Sequence, residues 1–147
     1  MYENILIATD GSALSKKAVT SAVELAASLG AKLVALYVAP RYAVSYFEDS
    51  ISVSPQEVAR IEKRWADKGQ AVVDAVAKTA GSSGVEAKAV VSRSDLVAEA
   101  IMAAAKKHKC DLIVMASHGR KGLKRVLLGS ETQQVLTHST TPVLVLR

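Results

Sequence analysis

The chain has 147 residues, half of them apolar, and a formal net charge of +5 at pH 7. That length suits one domain, residues 1–147, with a real core. No apolar run reaches membrane-spanning length. Thr9 and Asp10 end the first apolar run too early for a signal peptide, and one cysteine excludes an internal disulfide, so a cytoplasmic protein without a membrane partner is expected. Six aromatic residues are thin for stacking on single-stranded nucleic acid, so no nucleic-acid partner is expected; the modest positive balance suits an anionic small ligand.

In chain order, the first apolar run is Ile5–Ala8, a short buried strand. A helix follows from Ser12 to Leu29. Leu14, Ala18, Ala22, Leu25 and Leu29 form its inward stripe, Val19, Val23 and Ala26 lie beside it, and Gly30 stops it. Leu33–Val38 is the second strand. The longest irregular segment, Pro40 to Val53, carries Tyr42, Tyr46 and Phe47. Ser54-Pro55-Gln56-Glu57 is a capping box with proline at the first helical position, opening a helix with Val58, Ile61, Trp65, Val72 and Val76 inward. This helix is expected to end before Gly81-Ser82-Ser83-Gly84. Ala87–Val91 is the third strand. A third helix runs from about Ser94 with Leu96, Val97, Ala100, Ile101 and Ala104 inward. Leu112–Ala116 is the fourth strand, with Cys110 packing just before it as a small hydrophobe. Ser130-Glu131-Thr132-Gln133 reads as a second capping box, with Ser130 as N-cap of a short helix. Pro142 precedes a last strand, Val143–Leu146.

Continuous apolar runs alternating with helices predict an α/β fold: a doubly wound, five-stranded parallel sheet with helices on both faces. The expected strand order is 3-2-1-4-5. Ligands of such sheets bind beyond the carboxyl ends of the strands, at the switch point between strands one and four. The chain delivers Thr9-Asp10-Gly11-Ser12 and Ala116-Ser117-His118-Gly119 to that place.

Glycine allows a backbone to approach an anion, and a helix start supplies free N–H groups and a positive dipole end. Gly119 and Gly129-Ser130 therefore predict a phosphate cradle, with Glu131 and Thr132 in the helix start and Gly122 in the intervening loop. Arg120, Lys121, Lys124 and Arg125 could neutralise phosphates or simply form a solvated basic loop. Asp10 suits a ribose hydroxyl or a magnesium ion accompanying phosphates, and equally an Asp-Gly turn. His118 could donate to phosphate or only pack. The histidines and Cys110 lack metal-ligand spacing, so no protein-held metal is expected. G-x-x-x-x-G-K-[ST], a G-x-G-x-x-G after the first strand and G-x-S-x-G are all absent, which points to a sensor or carrier rather than an efficient enzyme.

Ile5-Leu6-Ile7-Ala8-Thr9-Asp10-Gly11-Ser12 resembles the opening of universal stress proteins. Asp111 through Arg120, Leu127-Leu128-Gly129-Ser130 and Thr141-Pro142-Val143-Leu144-Val145 resemble the C-terminal half of that family. Gly119 and Gly129-Ser130 match two parts of the G-x-x-G-x9-G-[ST] motif of its ATP-binding branch. Ala116 stands where that motif has its first glycine. Alanine should be tolerated there at negative φ and costly at positive φ. The resemblance implies ATP, or a related adenine nucleotide, as ligand. Asp10 would face the ribose and phosphates, the backbone of Val38 the adenine, and Ala8 the same pocket. Gly119, Arg120, Gly129, Ser130 and Glu131 would line the phosphates. It further implies a stress or energy-state sensor with at most slow hydrolysis, and a homodimer joined through Val143–Leu146. A nucleotide-free dimeric signalling protein, favoured by Ala116, is the alternative; a nucleotide hydrolase or adenylyl transferase is a weaker one.

Overall fold

The computed structural model describes residues 1–43, 53–119 and 128–147. Along the chain lie β1 (Asn4–Ala8), α1 (Ala13–Leu29), β2 (Lys32–Ala39), α2 (Pro55–Ser82), β3 (Ala87–Arg93), α3 (Val97–Lys107), β4 (Leu112–Ala116), α4 (Ser130–His138) and β5 (Val143–Leu146). The strands form one parallel sheet in the order β3-β2-β1-β4-β5, as the sequence pattern predicts.

Successive strand residues point to opposite faces, and in β1 both faces are covered. Ile5 and Ile7 join the layer beneath α1 and α2, with Val19, Leu33 and Val73. Leu6 joins the layer beneath α3 and α4, with Leu36, Ile101, Ile113 and Val135. This is why the central strands are apolar without alternation. The two edge strands, β3 and β5, are only half-buried.

The helix starts divide into two kinds. Ser12 and Ser54 cap α1 and α2, their side chains accepting from the N–H groups of Ser15 and Glu57. Neither α3 nor α4 has a side-chain cap. The capping box expected at Ser130 does not form. Gly129 is the N-cap, Ser130 is the first helical residue, and the Ser130 hydroxyl donates to Glu131 Oε2 at 2.9 Å.

Other boundaries differ for local reasons. α2 continues through Gly81 to Ser82, because buried Ala80 holds its last turn against the sheet and its carbonyl accepts from Val85 N–H. The reversal falls instead on Gly84 at φ 73°. α3 begins at Val97, not Ser94. The Ser94 hydroxyl accepts from Leu96 N–H in a turn ahead of the helix, which leaves Leu96 59% exposed rather than inward. Leu29 is likewise exposed, being the last residue of α1 before the chain reverses at left-handed Gly30.

In the long β2–α2 connection, Tyr42 stacks on Trp65 with ring centroids 6.3 Å apart; Tyr46 and Phe47 lie outside the described residues. Cys110 is buried before β4 as expected, and burial, followed by the neighbouring Asp111 carboxylate, pushes its thiol up to about 11. Among the described residues no helix is long and apolar enough to cross a membrane.

Candidate functional site

A cavity of about 510 Å³ opens beyond the carboxyl ends of β1, β2 and β4, on the α3–α4 side of the sheet. The β1 and β4 chains diverge here, one entering α1 and the other heading for α4, and this divergence makes the crevice.

The β1 end contributes Ala8, Thr9 and Asp10 to the lining. Thr9 is buried, its hydroxyl 3.0 Å from Ser15 Oγ and accepting from Gly11 N–H, so its side chain braces the turn. Asp10 Oδ1 accepts from Ser12 N–H at 2.9 Å, so Asp10 shapes the turn while Ser12 caps α1. Asp10 Oδ2 lies 2.5 Å from where a side chain on Gly119 would place its Cβ. The two turns flanking the crevice thus meet at this carboxylate.

Val38 reaches the cavity from β2. Peptide groups of alternate residues point to the same side of a strand. Leu36 C=O accepts from Thr9 N–H, so Val38 directs its own N–H and C=O towards the side β1 has just left. Ala39 C=O, facing the other way, accepts from Ser94 N–H. Val38 therefore offers a donor–acceptor edge at the cavity, the pattern that reads the edge of a base.

The β4 end contributes Ala116, His118 and Gly119. Ala116 is the last residue of β4; its backbone φ is not positive, and its carbonyl accepts from the buried Thr132 hydroxyl at 3.1 Å. That bond ties α4 to the sheet. Ser117 does not line the cavity. It is buried, with Oγ 3.2 Å from His118 Nδ1, its N–H donating to Leu146 C=O and its C=O accepting from Gly129 N–H. Gly129 packs closely: an added Cβ would sit 3.3 Å from the His118 Cα. A side chain there would wedge α4 away from Ser117-His118 rather than project into open space beside a ligand. With Gly129 in place, Ser130, Glu131 and Thr132 bring the start of α4 to the lining, where its uncapped N–H groups and dipole favour an anion. Arg120 and Gly122, with Lys121, Lys124 and Arg125, lie outside the described residues.

The whole chain, residues 1–147, matches the model of the Universal stress protein family. The chain belongs to this family. Universal stress protein YxiE of Bacillus subtilis is 32% identical, with all of both chains covered. Universal stress protein UspA from Lactobacillus plantarum superposes with a TM-score of 0.85 at 28% identity, over 99% of this chain and 98% of that one. A universal stress protein solved in complex with cAMP superposes at 0.71 with 26% identity, over 99% of this chain and 97% of that one.

Part of the lining is invisible to motif reading. Pro40, Ser94, Asp95 and Val97 close the cavity on the β3 side, and Leu36, Ile101 and Met115 form its apolar floor. The available signal was topological: in a parallel sheet every strand ends at the same edge, so Ser94-Asp95 after β3 arrives beside the end of β2 and on the same edge as Thr9-Asp10 after β1. Asp95 is also a tether, its Oδ1 accepting from Arg41 N–H at 2.9 Å.

Proposed function

We propose that this protein binds ATP, or a related adenine nucleotide, in the cavity at the sheet switch point. One observation carries the reading: the outward peptide edge of Val38, the Asp10 carboxylate and the uncapped start of α4 all line a single cavity. These are the chemistries of a base, a ribose and a phosphate, in that order. The volume, about 510 Å³, is within the range of small-ligand sites. The complex of a related universal stress protein with cAMP supports the same ligand class. Magnesium would arrive with the phosphates near Asp10, since no cluster of three or more His, Cys, Asp or Glu side chains fit to hold a metal occurs among the described residues.

Ala116 is the sequence feature that favours a nucleotide-free protein. Its position at the end of a strand, without positive φ, removes that support. The Ser117–His118 pair does not present a hydroxyl nucleophile to the cavity, because Ser117 is outside the lining. The reading is therefore a nucleotide-dependent sensor or regulator in the cytoplasm, a single domain that dimerises through β5, with at most slow hydrolysis.

Isothermal titration with ATP and magnesium should give saturable binding. Asp10→Ala should weaken it at least tenfold while α1 stays capped by Ser12. No heat at millimolar ATP from folded protein would overturn the proposal.

A further inference from the structure

On the opposite face of the sheet, α1 and α2 leave an open groove between them, of about 560 Å³, with Val19 and Val76 buried at its base and Thr20, Ala71, Ala75 and Thr79 exposed along its rims. Both helices return from a parallel strand to the next, so they run in the same direction. Its walls are Val19 and Thr20 from α1 and Ala71, Val72, Ala75, Val76 and Thr79 from α2. Threonine adds little polarity here. Thr20 and Thr79 each give their hydroxyl proton to the carbonyl one turn back, Lys16 and Ala75 respectively.

The charge on this trough has one sign and lies at one end. Lys16 is in the first turn of α1, next to the Thr9 and Gly11 that close that end, and Lys68 is the first residue of α2 to reach the lining. Gly69, next to Lys68, lies against Tyr37 in the C-terminal half of β2, so both lysines sit towards the carboxyl edge of the sheet. No acidic residue lines the trough among the described residues. The nearest acids on α2 are engaged elsewhere, Asp67 with Lys63 and Asp74 with Gln70. Neither Lys16 nor Lys68 forms an ion pair among the described residues.

We propose that this trough binds a single-chain amphiphile with an anionic head, a medium-chain fatty carboxylate, its head between Lys16 and Lys68 and its chain along Val72 and Val76 towards Thr79. From Lys68 to Val76 the helix rises about 12 Å at 1.5 Å per residue, the reach of an extended ten-carbon chain. A dipositive rim calls for an anion, and an apolar wall with its hydroxyls already satisfied calls for a chain without polar groups. The site is separate from the nucleotide cavity, the two sharing only the Thr9 wall.

The test is calorimetric titration of the full chain with decanoate below its micelle concentration. One-to-one saturable binding is expected. Octanoate should bind more weakly by about two- to fourfold per methylene removed, the upper figure being that of a fully buried methylene. Decanol should bind at least fivefold more weakly than decanoate, and Lys16→Glu with Lys68→Glu should cost decanoate at least fivefold while leaving decanol unchanged. Ala75→Trp, which fills the trough from an exposed helix position, should abolish binding. Circular dichroism and Tm of each variant establish that it is folded, and the charge variants stand alone if the tryptophan is not tolerated. Absence of saturation, equal affinity for decanol and decanoate, or indifference to the charge reversal would each overturn the proposal.

Discussion

Ala116 concentrates the question of how a sequence departure is read. The family motif has glycine there, and the cost of alanine turns entirely on φ. The residue closes β4 without positive φ, is 7% exposed, and its carbonyl is held by Thr132. Its methyl group is thus part of the core beside the cavity rather than a strain. Ala116→Gly should cost about 1–2 kcal/mol, from backbone entropy and one lost buried methyl. That lowers Tm by roughly 3–6 °C for a chain of this size. ATP affinity should stay within about twofold in calorimetry; a tenfold gain would show instead that the methyl obstructs the nucleotide. The sequence could name Asp10 and Gly119 separately because each lies in the turn that follows a strand-like run. It could not show that Gly119 makes room for Asp10 Oδ2, since that contact depends on how two turns far apart in sequence converge. Ser117 shows the converse: it sits inside the motif yet is turned into the protein, because its own carbonyl is needed to anchor Gly129.

At the scale of elements, the central strands β1, β2 and β4 were legible because burial on both faces leaves a continuous apolar run. Helix ends were legible where a local side chain or glycine makes the cap, as at Ser12, Gly30 and Ser54, and not at the starts of α3 and α4 or the end of α2, which packing and neighbouring peptide groups decide. Gly69 is a third case. Helix propensity says that glycine in mid-helix costs about 1 kcal/mol relative to alanine, so Gly69→Ala should stabilise. The packing says otherwise: an added Cβ would run into the Tyr37 ring at Cδ1, and Tyr37 is itself only 8% exposed, with little room to withdraw. α2 comes this close to β2 because residue 69 has no side chain. Gly69→Ala is therefore expected to destabilise by about 1–3 kcal/mol, as overpacked cores do. Urea unfolding reads the sign directly. The same substitution in a Tyr37→Leu background should recover most of the loss; a stabilised single variant would mean that the ring moves aside freely.

At the scale of the whole molecule, the two sheet edges are treated differently. β3 carries exposed Lys88 and Arg93, charges of the kind that discourage strand addition. β5, Val-Leu-Val-Leu, carries none, and Leu144 is 38% exposed. Ile113 N–H donates to Pro142 C=O and Ser117 N–H to Leu146 C=O, so the even-numbered peptide groups of this strand face β4. Those of Val143 and Val145 then face outward, forming an apolar edge ready to pair with a second copy. The parent is accordingly expected to run as a dimer of its 15.5 kDa chain in light scattering after size exclusion. Val145→Pro removes one outward N–H, spares the bonds to β4 and is a substitution that edge positions tolerate; it should give monomer. Leu144→Lys, which leaves every peptide group in place and adds charge to the edge, should do the same if the proline distorts the strand. A monomeric parent would refute edge pairing. A dimer indifferent to both changes would place the contact elsewhere on the molecule, and the contrast between the two edges would then need another cause.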